Sequence, residues 1–413
     1  MLGRVKLICL SAATLISCSY SIPENTQAAT VLLLSLNGPA SPTFSPAGGM
    51  VPYGTTVTIS SASATDTIAY TVGDGTQADP VCDTGTSGET GDSAVGVTID
   101  AFQTIKAVTC GSQSRSSAMV TAAYTYPRIH ITDAANGRIV RMDDMNGANW
   151  TTFGSFGSGT NQFLTPHSIA FDQSGRIYIS DENAHRIVRV DDMSGTNWTT
   201  FGSMGSGTNQ FKQPAGITLD SRGRIYVADL NNNRIVRVDD MAGTNWTTFG
   251  THGSGTGNFN IPTGVILDRA DRIYVADALN SRIVRMDDIT GSNWTAFGDN
   301  GSGAGQFNIA IGLNLSPDER LHIVDFFNER IARVDDMNGT NWISLGSRGS
   351  GAGQFIEPGH SIAFDADGRI LLADSGNHRI VRMDDMNGTN WTTFGAMGSG
   401  VNELNRPRGI FVR

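Results

Sequence analysis

The chain has 413 residues, enough for two or three domains, and combines 49 glycines with only 16% charged residues, a composition that suits short strands joined by tight turns. The formal net charge is −10 and no basic run occurs, which argues against nucleic acid as a partner.

At the N-terminus, "MLGRVKLICLSAATLISCSYS" places Arg4 and Lys6 before a short apolar run from Leu7 to Ile16. Such a run is too short for a mature bilayer-spanning helix and predicts a secretory signal. The segment "LISC" resembles a bacterial lipobox with Cys18 as the lipid-bearing residue, and Ser19 after it favours the outer membrane in lipoproteins of this type. Ordinary signal cleavage near Ala28 is the alternative. Residues 1–18 are thus read as a signal with lipobox and 19–40 as a linker. The location expected is the bacterial cell envelope, as an outer-membrane lipoprotein or at the cell surface, otherwise secreted or periplasmic, with membrane contact through lipid only. Cys9 lies inside the signal, which leaves Cys82 and Cys110. An even pair in an exported segment predicts a disulfide; two free buried thiols are the alternative. No cysteine or histidine spacing matches a zinc site.

Residues 41–127 alternate β-rich runs ("TTVTISSA", "DTIAYTVGDG", "TIKAVTC", "MVTAAYTY") with Gly, Ser, Asp and Thr turns, the pattern of a β-sandwich. The wording from "PTFSPAGGMVPYGTTVTISSA" to "TIKAVTCGSQSRSSAMVTAAYTY" resembles the chitobiase/β-hexosaminidase C-terminal type of immunoglobulin-like domain. That resemblance implies a spacer or accessory module; it does not imply glycosidase activity, since no paired carboxylates sit in a plausible cleft.

From residue 128 to 413 one phrase recurs. "RIVRVDDMSGTNWTTFG" at 186–202 has counterparts beginning at Arg138, Arg234, Arg282, Arg330 and Arg379, with steps of 48 residues and a last step of 49. Each unit offers four strands, here called a ("SIAFD"), b ("RIYISD"), c ("RIVRVDD") and d ("NWTTFG"). The array opens at 128–133 on a b strand and closes at 406–413 on an a strand, so the last strand can complete the first sheet and close a ring of six. The pattern "FG…GSGAGQF…P.GI..D..GRI..AD..N.RIVR" resembles the NHL repeat. The resemblance implies an all-β fold, a six-bladed NHL-type β-propeller, here following an N-terminal Ig-like β-sandwich. It leaves the activity open, because relatives include protein- and RNA-binding modules, an amidating lyase and calcium-dependent lactonases.

Repeated residues read as structural. Each b strand ends in Asp (Asp133, Asp181, Asp229, Asp277, Asp325, Asp374), with Arg five residues on and Asn between them, except at Ala184. A turn closed by these side chains is expected. The six tryptophans are expected to fill gaps between blades. His130 and His322 replace strand-b tyrosines, which predicts core positions. Doubled aspartates, such as Asp191/Asp192, converge with the a–b turn residues Asp172, Asp220, Asp268 and Asp365 on one end of the ring. A solvated acidic face is the plain reading and weak calcium binding the functional one, although "DDMNGTN" lacks a dedicated calcium-loop spacing.

Function is sought where the copies differ. The slot opening strand a holds His167, Ala215, Thr263, Ile311, His360 and Arg408. On a closed ring, His360, Arg408 and His167 become neighbours at the end opposite the acidic one. His185 and His378 sit in the b–c turns at that end, and Ile311, Phe326 and Phe327 make the other side apolar. A mouth with a cationic side and a greasy side suits an amphipathic anionic ligand. The family's amidating lyase carries a three-His zinc site at comparable slots; here they read His, Arg, His, and Arg cannot ligate a metal. The expected function is binding of a protein, peptide or glycan at the channel mouth, without cofactor. The alternative is a lyase or hydrolase acting there.

Overall fold

The computed structural model describes residues 7–11, 14–18, 38–51, 53–82, 89–91, 93–100, 102–111 and 115–413. Leu7–Ser11 and Thr14–Cys18 form a pair of short strands, and no helix among the described residues is long and apolar enough to cross a membrane. Most of the expected linker, 19–37, and the side chain of Cys18 lie outside what is described. The chain divides into two units, Met1–Gly49 with Gly54–Thr125 and Met50–Tyr53 with Tyr126–Arg413.

The first unit contains two antiparallel sheets. One orders Thr43–Ser45, Thr55–Ser60 and Ala94–Ile99; the other is built on Val120–Thr125, Gln103–Cys110 and Thr67–Gly73. Val57 and Ile59 on one sheet, and Ile105 and Ala107 on the other, have no solvent exposure; alternation is clear on Thr55–Ser60, whose intervening Thr56 and Thr58 are exposed. Cys82 and Cys110 form a disulfide, as their pairing in the sequence leads one to expect.

The second unit is built on six four-stranded antiparallel sheets, with three short two-stranded parallel pairs in the connections between them. Sheet two runs in chain order through Pro166–Phe171 (a), Ile177–Asp181 (b), Arg186–Val190 (c) and Thr199–Phe201 (d). Sheets three to six repeat it with a strands at Pro214–Leu219, Pro262–Leu267, Ala310–Leu315 and Pro358–Phe364. Sheet one takes b, c and d from Ile129–Asp133, Arg138–Met142 and Thr151–Phe153 and its a strand, Pro407–Val412, from the other end of the chain. Each a strand packs against the next, and the a strands of sheets six and two both touch that of sheet one. The fold is a β-propeller. The closing pair sets Ile129 opposite Val412 and Ile131 opposite Ile410, with a register shift before Asp133, and Arg128 and Arg413 exchange backbone hydrogen bonds of 2.6 and 3.0 Å. Packing at the axis leaves no room for side chains at some positions: a Cβ on Gly409 would lie 2.7 Å from the His167 carbonyl oxygen, and one on Gly312 2.6 Å from the His360 carbonyl.

The repeated Asp, Asn and Arg form a staple. The Asp229 carboxylate is fully buried. Its Oδ1 accepts from the Lys212 N–H (2.7 Å), and its Oδ2 from Asn232 Nδ2 (2.8 Å) and Arg234 Nε (2.8 Å). The rest of the Arg234 guanidinium donates to the carbonyls of Ser206 and Gln210. One buried carboxylate thus ties the b–c turn to the loop that enters its sheet. Burial pushes this carboxyl up from its ordinary value, while the hydrogen bonds pull it down. Arg234 also lies 5.5 Å over the Trp246 ring.

The tryptophans differ from the expectation in two respects. They precede strand d, which is only three residues long, and they are half-buried. Trp246 contacts Phe211 (5.3 Å between ring centres) and Phe201 (6.0 Å) from the preceding sheet and its connection, so it does fill a joint. Arg234 covers part of it instead of the core. His130 and His322 are buried, as expected, against Phe171 (4.6 Å) and Phe364 (4.9 Å).

Candidate functional site

Strand a of sheet six is one residue longer than its counterparts, which accounts for the 49-residue step. Every pairing of strands a and b shifts register near the start of strand a, and the extra residue enlarges that shift by one between Pro358 and Ile362, a bulge that redirects the side chain following Gly359. That side chain is His360. Its ring lies 4.3 Å from the ring of His167, centre to centre. The two residues are 193 positions apart (360 − 167), and sheet one, with Arg408, separates their strands. His167 is 1% exposed. Neither Nδ1 has a hydrogen-bond partner among the described residues.

Arg408 is not free to act as an isolated cation: its Nη1 is ion-paired with Glu182, both side chains being largely buried. The histidines are not cationic either. Burial, then the neighbouring His360 and Arg408, hold His167 well below its ordinary value, and burial, then Arg408, bring His360 to about 3. The expected cationic arc is thus corrected to two neutral imidazoles beside an Arg–Glu pair. Sequence reasoning missed Glu182. It is the only charged residue among those following the strand-b aspartates (Ala134, Glu182, Leu230, Ala278, Phe326, Ser375), and that contrast was readable.

The apolar side is partly as expected. Phe326 and Phe327 stack edge to face at 4.9 Å, Phe326 lies 6.4 Å from His360, and Phe327 is 57% exposed. Ile311 is buried at 3% exposure, and its carbonyl accepts a hydrogen bond from Thr263 Oγ1 at 2.8 Å. Ile311 is therefore core, and Thr263 is a structural hydroxyl. His185 and His378 engage the chain itself: each Nδ1 accepts from a backbone N–H, that of Gln213 (3.0 Å) and that of Arg406 (3.2 Å).

At the opposite end the aspartates are spoken for. The first of each pair accepts from an Asn six residues on, as Asp191 does from Asn197 (2.6 Å), and the second caps its own turn, as Asp192 does for the Ser194 N–H (2.8 Å). The a–b aspartates pair with arginines, Asp172 with Arg176 and Asp268 with Arg272, both at 2.6 Å. A cavity of about 640 Å³ at this end is accordingly lined by both signs, including Asp172, Arg176, Asp220, Arg222 and Arg269. The face is mixed in charge rather than uniformly acidic. Among the described residues no group of three or more His, Cys, Asp or Glu is arranged to hold a metal.

Four buried histidines (His130, His167, His322 and His360) are held below the ordinary imidazole range mainly by burial, His130 to about 3 and His322 to about 4. A depressed folded-state value means that the stability is present in full above the unfolded value of about 6.5 and is lost as pH falls toward the folded values. The melting temperature is therefore expected to drop progressively below about pH 6.5. His322→Tyr, which copies Tyr178, Tyr226 and Tyr274 at the same slot, is expected to flatten that profile. Thermal melts across this range check it, and a variant profile as steep as the parent's counts against it.

Comparison with known proteins bears on the fold. The NHL repeat matches residues 163–189, 211–237 and 360–383. No curated protein matches. Similar solved structures include one from a nidogen/laminin complex (17% identity, 69% of this chain and 98% of that one, TM-score 0.53). A protein of unknown function from Bacteroides caccae matches at 10% identity over 69% of this chain and 98% of that one, TM-score 0.50. A virginiamycin B lyase from Staphylococcus aureus matches at 18% identity over 69% of this chain and 85% of that one, with a TM-score of 0.47. At these identities the likeness concerns the fold alone, and the chain is one that carries NHL repeats on a β-propeller.

Proposed function

We propose that this is an exported, lipid-anchored binding or scaffold protein, a six-bladed NHL-type propeller preceded by an Ig-like module, which holds a protein, peptide or glycan at its channel mouth on the cell envelope. The six sheets with contacting a strands support six blades. The two-sheet unit supports the Ig-like reading, and the disulfide accords with an oxidising compartment.

The observation that carries the binding reading is the gathering of His167, His360, Arg408 and Glu182 at one end of the ring. Arg408 and Glu182 meet across 226 residues of sequence. A ligand carboxylate or phosphate can compete with Glu182 for Arg408, beside two buried imidazoles whose Nδ1 atoms have no partner among the described residues. Phe326 and Phe327 offer an apolar surface beside His360. A lyase or hydrolase at the same place would need an imidazole base, and one with a value of about 3 is a poor base at neutral pH.

Peptide and glycan arrays probed with the full-length mature protein test this. A bound ligand is expected, with affinity reduced about ten- to a hundredfold in Arg408→Ala, the equivalent of a charge-assisted hydrogen bond. His252→Ala, at an exposed loop of the same end, is expected to bind normally. Thermal melts check that the fold is kept. Normal binding by a folded Arg408→Ala protein would place the site elsewhere.

A further inference from the structure

Where the histidine-bearing turns meet the next sheet, the joints between sheets are latched. Each turn between strands b and c ends in a left-handed residue: Gly137, His185, Asn233, Ser281, Glu329 or His378. Four of their side chains accept a hydrogen bond from the backbone N–H of the loop entering the following sheet. His185 Nδ1 accepts from Gln213 at 3.0 Å, Asn233 Oδ1 from Ile261 at 2.9 Å, Glu329 Oε2 from Glu357 at 2.6 Å, and His378 Nδ1 from Arg406 at 3.2 Å. The four donating residues, Gln213, Ile261, Glu357 and Arg406, are themselves left-handed, with φ of 60°, 59°, 47° and 54°. Non-glycine residues enter that region only when their surroundings hold them there. The latch gives the N–H of each of these four residues a partner, although Ile309, at the same slot after Ser281, is left-handed at 64° without one among the described residues.

Asn233 and Glu329 can accept across a wide pH range, but an imidazole cannot. Nδ1 accepts only while the ring is neutral with its proton on Nε2. A second proton turns the acceptor into a donor and sets N–H against N–H.

We propose that His185 and His378 are acid-released latches, which loosen the joints between sheets two and three and between sheets six and one and so make ligand retention at the mouth pH-dependent. The last clause rests on the binding reading above; the release of the latches does not. The joint between sheets six and one borders the strand that closes the ring, because Arg406 directly precedes that strand and lies two residues from Arg408. The carboxylates on the elements around these imidazoles are already engaged by arginines: Asp181 by Arg186, Glu182 by Arg408, Asp374 by Arg379, and Glu357 by Arg406. The loop facing His185 adds a cation, Lys212. None of these groups is placed to hold a charged ring in the latched position.

The test is amide hydrogen exchange on the full-length protein without ligand, read residue by residue as protection factors at about pH 7.5 and about pH 5. Protection at Gln213 and Arg406 is expected to fall about tenfold on acidification, while that at Ile261 and Glu357 holds. The double variant His185→Asn, His378→Asn copies Asn233, which occupies the same left-handed position at φ 53°. It is expected to keep protection at both pH values. Equal loss at all four amides, or the same loss in the double variant, overturns the proposal. Because no ligand is added, failure to find one at the mouth leaves both outcomes readable.

Discussion

A chain ending at Asn405 is expected to lose the cooperative unfolding of its propeller and to self-associate. The missing residues, 406–413, carry the whole inner strand of sheet one. They also carry Ile410 and Val412, which pack with Ile129, Ile131, Ala363 and Leu371 in the core joining sheets one and six. Burying an aliphatic side chain is worth about 1.5–3 kcal/mol. Two such side chains and a strand's hydrogen bonds together are comparable to the roughly 5–15 kcal/mol that holds a whole protein folded. The deletion further bares the edge of Ile129–Asp133, an unpaired strand open to pairing with another chain. Calorimetry and size-exclusion chromatography on the truncated protein check both effects. An unchanged melting temperature in a monomeric protein would mean that the ring does not depend on its closing strand.

Asp277→Ala is expected to destabilise the protein by about 3–5 kcal/mol, the range for breaking a buried ion pair from one side. The carboxylate has no solvent exposure. It accepts from the Asn260 N–H (2.7 Å), Asn280 Nδ2 (2.8 Å) and Arg282 Nε (2.7 Å). Removing it strands three donors, one of them charged. Asp288→Ala, only eleven residues away, removes an exposed aspartate that caps its own turn through Thr290, and about 1 kcal/mol or less is expected. Urea unfolding of the two variants side by side separates the two roles that the repeated aspartates play. Equal effects would contradict the division into buried staples and surface caps.

Most of the ring was legible in the sequence, because its information is periodic. A 48-residue step, four strand-like runs in each step and half-units at the two ends are one-dimensional facts, and a closed set of four-stranded sheets is the arrangement that satisfies them. The Asp–Asn–Arg turn was legible for the same reason. The mouth was legible only as a set of neighbours. That His167 and His360 touch follows from ring closure together with a one-residue bulge, and the bulge appears in the sequence merely as a step of 49. That both are neutral follows from burial, which no residue type specifies by itself. The work of His185 and His378 was not legible at all. It depends on a left-handed turn that swings the ring away from the channel and toward the next loop, and the same slot is filled elsewhere by Gly, Asn, Ser and Glu, whose only common property is tolerance of that turn.

The seam between strands 129–133 and 407–412 also has a mechanical character. The two strands run antiparallel, and the chain enters the ring at Arg128 directly beside where it leaves at Arg413. Tension between those two points would not drag one strand along the other, which would load every hydrogen bond at once. It would peel them apart from one end, each pair bearing the force alone before passing it to the next. A ring expected to unfold as a whole when heated can therefore open by a small pull applied across its ends.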